Sequence, residues 1–269
     1  MSQSNFPISF DSKTYAKWHE KTFPQDKNLL YQIDQLRDKL FYKAKSDLVV
    51  LNALLKALFT NLEKEYRREN NIDTSFQTPL ANLLKDNKDS GYREKLFKGT
   101  TSIVEKMWRK NNQDNPQFSF SKIETQMTDL VRTEIICKSL DACKFLSDKL
   151  NSVAFNSREG KIKELFNQKI DRIESEPELK MASGYFAYHS LIYFNSGLIV
   201  EVQIHSSLSS SWRKLSHDLY KTTRLSPIVS HDYGSIESRI ISLGHLLHIA
   251  DFELDRLEKE FNQLTFSKS

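Results

Sequence analysis

The segment from Lys180 to Lys221 constrains the fold of this chain more than any other. Tyr185 to Phe194 is rich in aromatic and β-branched residues, Asn195-Ser196-Gly197 is a turn, and Leu198 to His205 alternates strictly. In the second strand Val200, Val202 and Ile204 take one face, so Glu201, Gln203 and His205 take the other. If Phe194 pairs with Leu198, His189 lies opposite Gln203 and Leu191 opposite Glu201. Tyr185, His189, Glu201, Gln203 and His205 then share a face. A carboxylate, an amide, two imidazoles and a phenol gathered there form a chemical site, where a plain solvated face would carry Lys, Thr and Glu without this order.

The remaining elements follow from periodicity. Asn28, Leu29, Ile33, Leu36 and Leu40 make an amphipathic stripe, and Leu51, Leu55, Leu58, Leu62 and Tyr66 make a second. The charged run Lys64 to Arg68 reads as a solvated helix end. Residues 1 to 25 are expected to be loosely held, and 69 to 79 and 86 to 92 to be loops. A helix is expected from Ser102 to Lys110, a strand from Leu130 to Cys137 with Val131, Thr133 and Ile135 on one side, and a helix from Asp141 to Leu150. Ile236, Ile240, Leu243, Leu247, Ala250, Leu254, Leu257 and Phe261 form a heptad seam. Packing of that seam on the N-terminal helices is expected, and a subunit interface fits the same pattern.

These elements, with 28% charged residues, 7 Gly and 6 Pro in 269 residues, indicate a helix-rich α+β protein. The expected division is an N-terminal helical region at 1–90, a core with a mixed β-sheet at 91–225, and a C-terminal helix at 226–269. A net charge of +4 permits phosphate contacts without implying nucleic acid. Cys137 and Cys143 make neither a disulfide framework nor a zinc spacing and read as buried thiols. The sequence has no apolar run long enough to span a membrane and no signal-peptide order at its start, so a cytoplasmic location is the expectation.

Three motifs stand in order: Gly184-Tyr185-Phe186-Ala187-Tyr188-His189, then Val200-Glu201-Val202-Gln203-Ile204-His205, then Trp212, His217 and Tyr220-Lys221. Upstream lie Lys98-Gly-Thr-Thr-Ser102-Ile-Val-Glu-Lys106-Met107 and Asp129-Leu-Val-Arg-Thr-Glu-Ile-Ile136. Over roughly 95 to 222 the chain resembles the RelA/SpoT-type synthetase domain of the alarmone synthetases. The resemblance implies a nucleotidyltransferase-like core that transfers the β,γ-pyrophosphate of ATP to a ribose 3′-hydroxyl and releases AMP. It implies Lys98, Ser102 and Lys106 at the ATP phosphates, and Asp129 and Glu201 at Mg²⁺, with Glu201 also the base for the 3′-hydroxyl. Tyr185 would stack on the acceptor base, with Lys180, His189, Gln203 and His205 around it. Arg109 and Lys110 extend the basic face and read equally as solvated helix residues. His217 is expected beneath the hairpin, and His231, His245 and His248 match no motif.

Several positions depart from the family pattern. Leu96 replaces an arginine, Glu134 stands where an arginine is expected, Ala187 replaces a serine, and His205 replaces the strand arginine. Lys180 lies one residue further from Gly184 than the pattern has it. The donor and metal positions survive and the acceptor positions are altered. Three activities follow in order: an enzyme making an alarmone from GDP or GTP, a toxic small synthetase modifying the 3′ end of tRNA, and a non-catalytic nucleotide-binding module. The second implies an antitoxin protein partner, and family resemblance also allows a homo-oligomer. The tRNA reading draws on the apolar loop Phe186-Ala187-Tyr188 and on the basic segments at Lys64 to Arg68 and Arg109 to Lys110. No His-Asp pair of the metal-dependent hydrolase type precedes the synthetase motifs, so synthesis without built-in hydrolysis is expected.

Overall fold

The computed structural model describes residues 6–85, 94–112, 117–156, 161–180, 183–223, 232 and 234–266. The loop expected at 86 to 92 and the side chains of His217, Tyr220, Lys221 and His231 lie outside what is described.

From Phe6 onward the N-terminal segment is anchored rather than loose. Helix α1 (Ser12–Thr22) is capped by Asp11, whose carboxylate accepts from the Thr14 amide at 2.8 Å. Its Tyr15 and His19 are fully buried. His19 Nε2 bonds Asp26 at 2.8 Å, His19 Nδ1 meets the Tyr15 hydroxyl at 3.2 Å, and Asn111 donates to that hydroxyl at 2.8 Å. Composition alone hid this, because a buried polar network is costly only until each member finds a partner.

The two stripes expected as separate stretches are one 42-residue helix, α2 (Leu29–Asn70). Nothing between Phe41 and Val50 breaks a helix, and Ala44 and Leu48, both fully buried, carry the stripe across the junction. The helix begins and ends at left-handed asparagines, Asn28 and Asn71. A short strand, β1 (Phe76–Gln77), and helix α3 (Leu80–Lys85) follow. After them come α4 (Thr100–Asn111), a 3₁₀ turn, α5 (Ile123–Gln126), β2 (Val131–Cys137), α6 (Leu140–Asn156) and α7 (Lys161–Lys169). The chain then runs through β3 (Ile170–Lys180), β4 (Tyr185–Phe194), β5 (Ile199–Ser206), α8 (Ser207–Thr223) and α9 (Ile236–Phe266).

The five-stranded sheet has the order β1-β2-β5-β4-β3. Strands β2 and β5 are parallel and the other pairs antiparallel, giving a mixed sheet in an α+β fold. The expected hairpin register is present: His189 pairs with Gln203 and Leu191 with Glu201, and the Phe194 amide donates to the Leu198 carbonyl at 2.9 Å. Gly197 closes the turn at φ +80°, a conformation glycine adopts without steric cost. Val131, Thr133, Ile135, Val200, Val202 and Ile204 face inward. All but Thr133 join one apolar cluster that reaches through Ile103, Val104 and Met107 to the α2 stripe and Tyr15.

The heptad seam of α9 does not pack on the N-terminal helices. The helix rests chiefly on α8, with smaller contacts to α6 and β4. The face it buries carries Gly244, Asp251 and Asp255, while Ile236, Leu243, Leu254, Leu257 and Phe261 of the seam are exposed. Buried polar anchors decide the orientation. Ser206 and Ser209 donate to Asp251, and the Asp141 amide donates to Asp255 at 2.9 Å. Close approach reinforces them, for a Cβ on Gly244 would lie 2.7 Å from the Gly184 carbonyl and 2.9 Å from the Trp212 ring.

Candidate active site

The phosphate-binding candidates meet where β2 begins. Phe97 bridges Val131, and the Lys98 amide donates to the Leu130 carbonyl at 2.9 Å, which fixes Lys98 beside Asp129. Lys98 Nζ lies 2.6 Å from one Asp129 oxygen and Lys106 Nζ 2.7 Å from the other. Burial works to raise the Asp129 pKa, but the two ammonium groups outweigh it and hold the carboxyl well below its usual range. Burial also lowers the Lys98 pKa, with Asp129 pulling the other way. Helix α4 starts at Thr100, two residues before the expected Ser102, and its Gly99 cap offers no side-chain acceptor. The amides at the head of α4 are thus left to other partners, in the positive field of a helix N-terminus.

The hairpin candidates form a second group. Period-two alternation places Glu201, Gln203 and His205 on one face of β5, and the register aligns Arg132 and Glu134 of β2 with the first two of these. Glu201 is only 8% exposed. Its Oε1 accepts from Gln203 Nε2 at 2.5 Å, and its Oε2 lies 3.8 Å from His189 Nδ1. His189 Nε2 in turn bonds the Tyr185 hydroxyl at 2.8 Å. Tyr185 is edge-on to both His189 and His205, each ring centroid 5.9 Å away. Lys180 ends β3 opposite Tyr185, its Nζ 5.5 Å from the ring centroid.

His205 is the most enclosed of the group, at 1% exposure, and neither ring nitrogen has a partner in good hydrogen-bond geometry among the described residues. Burial first, then Arg213 and His189, hold its pKa down to about 3 against a contribution from the Phe186 backbone, so the imidazole is neutral. Burial likewise lowers the His189 pKa and raises that of Tyr185.

Arg132 stands opposite Glu201 in the β2–β5 ladder, and its charge lowers the pKa of both Lys98 and Tyr185 in part. Arg213 was not legible beforehand. It reaches from α8 to Glu134 and donates to Gln203 Oε1 at 3.0 Å. The available signal was indirect, an acid at 134 in a half-buried strand position that requires a cation nearby.

Other basic candidates are engaged elsewhere. Lys110 lies 5.1 Å from the Phe118 ring centroid, Arg109 pairs with Glu105, and Arg67 pairs with Asp73. Phe186 and Tyr188 project from the opposite face to Tyr185 and His189. Phe186 packs on His248, with centroids 4.5 Å apart, so these aromatics lie away from the face of Tyr185, His189 and Glu201.

Among the described residues, no three or more His, Cys, Asp or Glu side chains converge as a metal site. Magnesium needs only one or two carboxylates when phosphate and water complete its shell. Glu201 fits that donor set through Oε2. Asp129 has both oxygens taken by Lys98 and Lys106 and would fit it only on their release. No described helix is long and apolar enough to cross a membrane.

Residues 95–224 match the family described as a region found in RelA / SpoT proteins. The small alarmone synthetase 1 of Bacillus subtilis, in its structure bound to its product pppGpp, aligns with a TM-score of 0.50 at 17% identity. That alignment covers 85% of this chain and 99% of the other. A GTP pyrophosphokinase family protein of Streptococcus pneumoniae aligns with a TM-score of 0.47 at 17% identity, over 80% of this chain and 92% of that one. Cell wall alpha-1,3-glucan synthase mok12 of Schizosaccharomyces pombe is 25% identical over 132 residues, 44% of this chain. The chain spans only 6% of that relative's length. Motif order, mixed sheet and family match agree: residues 95–224 are a RelA/SpoT-type domain.

Proposed function

We propose that the chain is a pyrophosphokinase that moves the β,γ-pyrophosphate of ATP to the ribose 3′-hydroxyl of a guanosine nucleotide. The observation that carries this reading is Glu201. It is a nearly buried carboxylate with one oxygen held by Gln203 and the other toward His189, on the sheet face it shares with Tyr185 and Gln203. In the reaction Glu201 Oε2 takes the proton from the acceptor 3′-hydroxyl, whose oxygen attacks the β-phosphorus of ATP. The bond between that phosphorus and the α–β bridging oxygen breaks, and AMP leaves with the bridging oxygen. Lys98 and Lys106 exchange Asp129 for phosphate oxygens and offset the charge that develops there. Mg²⁺, held by Asp129 with phosphate oxygens and water, would supply further neutralisation of the phosphates. Tyr185 holds the acceptor base, a contact worth on the order of 1–3 kcal/mol and tolerant of base identity.

The similar structure bound to pppGpp supports a guanosine acceptor, whereas Glu134 and His205 alter the acceptor side. The test is to incubate the chain with γ-labelled ATP and GDP, GTP or deacylated tRNA in parallel. Label on GDP or GTP with release of AMP is expected. Label on tRNA alone would replace this reading with the tRNA-modifying one, and no label with any acceptor would leave a nucleotide-binding module.

A further inference from the structure

We propose that Arg213, braced by Glu134, is a positioning residue that sets the orientation of the Gln203 side-chain amide and through it the Glu201 carboxylate. The proposal rests on the reading of Glu201 as the acceptor-side base. Four side chains from three elements form an unbroken relay. Glu134 on β2 accepts from Arg213 on α8, Arg213 Nη1 donates to Gln203 Oε1 at 3.0 Å, and Gln203 Nε2 donates to Glu201 Oε1 at 2.5 Å.

An amide has one acceptor end and one donor end, and a half-turn exchanges them. In the orientation observed, the acceptor end meets a guanidinium and the donor end meets a carboxylate. The flipped amide would set donor against donor at Arg213 and oxygen against oxygen at Glu201. With Arg213 present the amide is held at both ends. Without it the amide is held only by the carboxylate it is meant to orient, and Glu201 loses its fixed neighbour.

Glu134 explains why this arginine is tolerated. Arg213 is a partly enclosed cation, its side chain 29% exposed, and Glu134 supplies the opposite charge. The pair also accounts for the acid at position 134, which as an isolated charge on this face would repel Glu201 and incoming phosphates. The charge of Arg213 extends further, acting on Tyr185, His189 and His205, so the residue lies within electrostatic reach of the whole acceptor group.

The register supplies a specific rescue. Glu134 is the direct partner of Gln203 in the parallel β2–β5 ladder, so an arginine at 134 would reach the same amide from the other side. Arg213→Ala should lower kcat about ten- to a hundredfold while leaving KM for ATP within about twofold, because the loss is one of alignment at the acceptor carboxylate. Arg213→Lys, with one point charge in place of a fork, should fall between. Arg213→Ala combined with Glu134→Arg should recover most of the lost kcat, whereas Glu134→Arg alone, which sets two guanidinium groups together, should not.

The second readout needs no turnover. In the ¹⁵N-labelled chain the Gln203 side-chain amide should give two well-separated proton signals that converge in Arg213→Ala and separate again in the double variant. Should the Ala variant fail to fold, the amide signals and kcat of Arg213→Lys decide in its place. A wild-type kcat in Arg213→Ala, a double variant no better than the single one, or an amide unaffected by the substitution would overturn the proposal. If the wild-type chain transfers pyrophosphate to no acceptor, the functional reading falls, and the Gln203 signals still decide whether the relay exists.

Discussion

The β4–β5 hairpin and helix α9 carry comparably regular sequence patterns, yet only in the hairpin did the pattern give the orientation. In the hairpin, alternation and a three-residue turn dictate which side chains share a face, because a one-residue slip would invert every one of them. In α9 the heptad seam shows that an apolar face exists without naming its partner. The buried contacts that orient this helix are polar or glycine-sized: Ser206 and Ser209 to Asp251, and Gly244 against Gly184 and Trp212. Apolar periodicity within one element reports local geometry; docking between elements is settled by the few groups that must be satisfied or must fit.

The largest effect should come from the hairpin. Glu201→Gln should reduce pyrophosphate transfer by ~10²-fold or more with little change in melting temperature. Release of AMP from ATP in the presence of acceptor is the measurement, and near-normal turnover would remove Glu201 from the centre of the site.

Next in size is Asp129→Asn, which leaves Lys98 and Lys106 without their shared counter-charge and should cost about 3 kcal/mol in urea unfolding. A smaller loss would show that solvent already screens this triad. The acid of the site and the acid of the helix should also answer acidification oppositely. The Asp129 pKa is depressed in the fold, so its contribution is present above the ordinary value of 3.8 and lost as pH falls through the folded value. Asp251 is shifted up, chiefly by burial, so its contribution is complete below 3.8 and lost as pH rises through the raised value. Acidification towards 3.8 should therefore raise the hydrogen-exchange protection factors along α9, each rate taken relative to the intrinsic rate at the same pH, without yet weakening the Asp129 triad. Lower protection factors in α9 on acidification would reverse the assignment.

Smaller again, Gly244→Ala should destabilise by about 1–3 kcal/mol, because the new methyl meets a carbonyl and the Trp212 ring at sub-contact distances. Trp212 fluorescence would report the displacement, since the indole N–H donates to the Ile240 carbonyl at 2.9 Å. The smallest change is expected at the seam itself. Leu257→Glu, on the exposed face, should alter stability by no more than about 0.5 kcal/mol. A larger loss would mean that the face is covered in solution.

The sequence by itself determined the hairpin, its register, the shared face of Tyr185, His189, Glu201, Gln203 and His205, and the strand that brings Asp129 to the sheet. Those features depend on alternation and turn chemistry, which act over a few residues. It also marked Glu134 and His205 as departures without saying what compensates them. Only the tertiary structure enclosed Tyr15 and His19, turned the seam of α9 outward and set Arg213 between Glu134 and Gln203. Each of those outcomes depends on partners distant in the chain, 79 positions apart for Arg213 and Glu134. A buried polar group is stabilised only by the partner that folding brings to it, and no periodicity in a single element encodes that meeting.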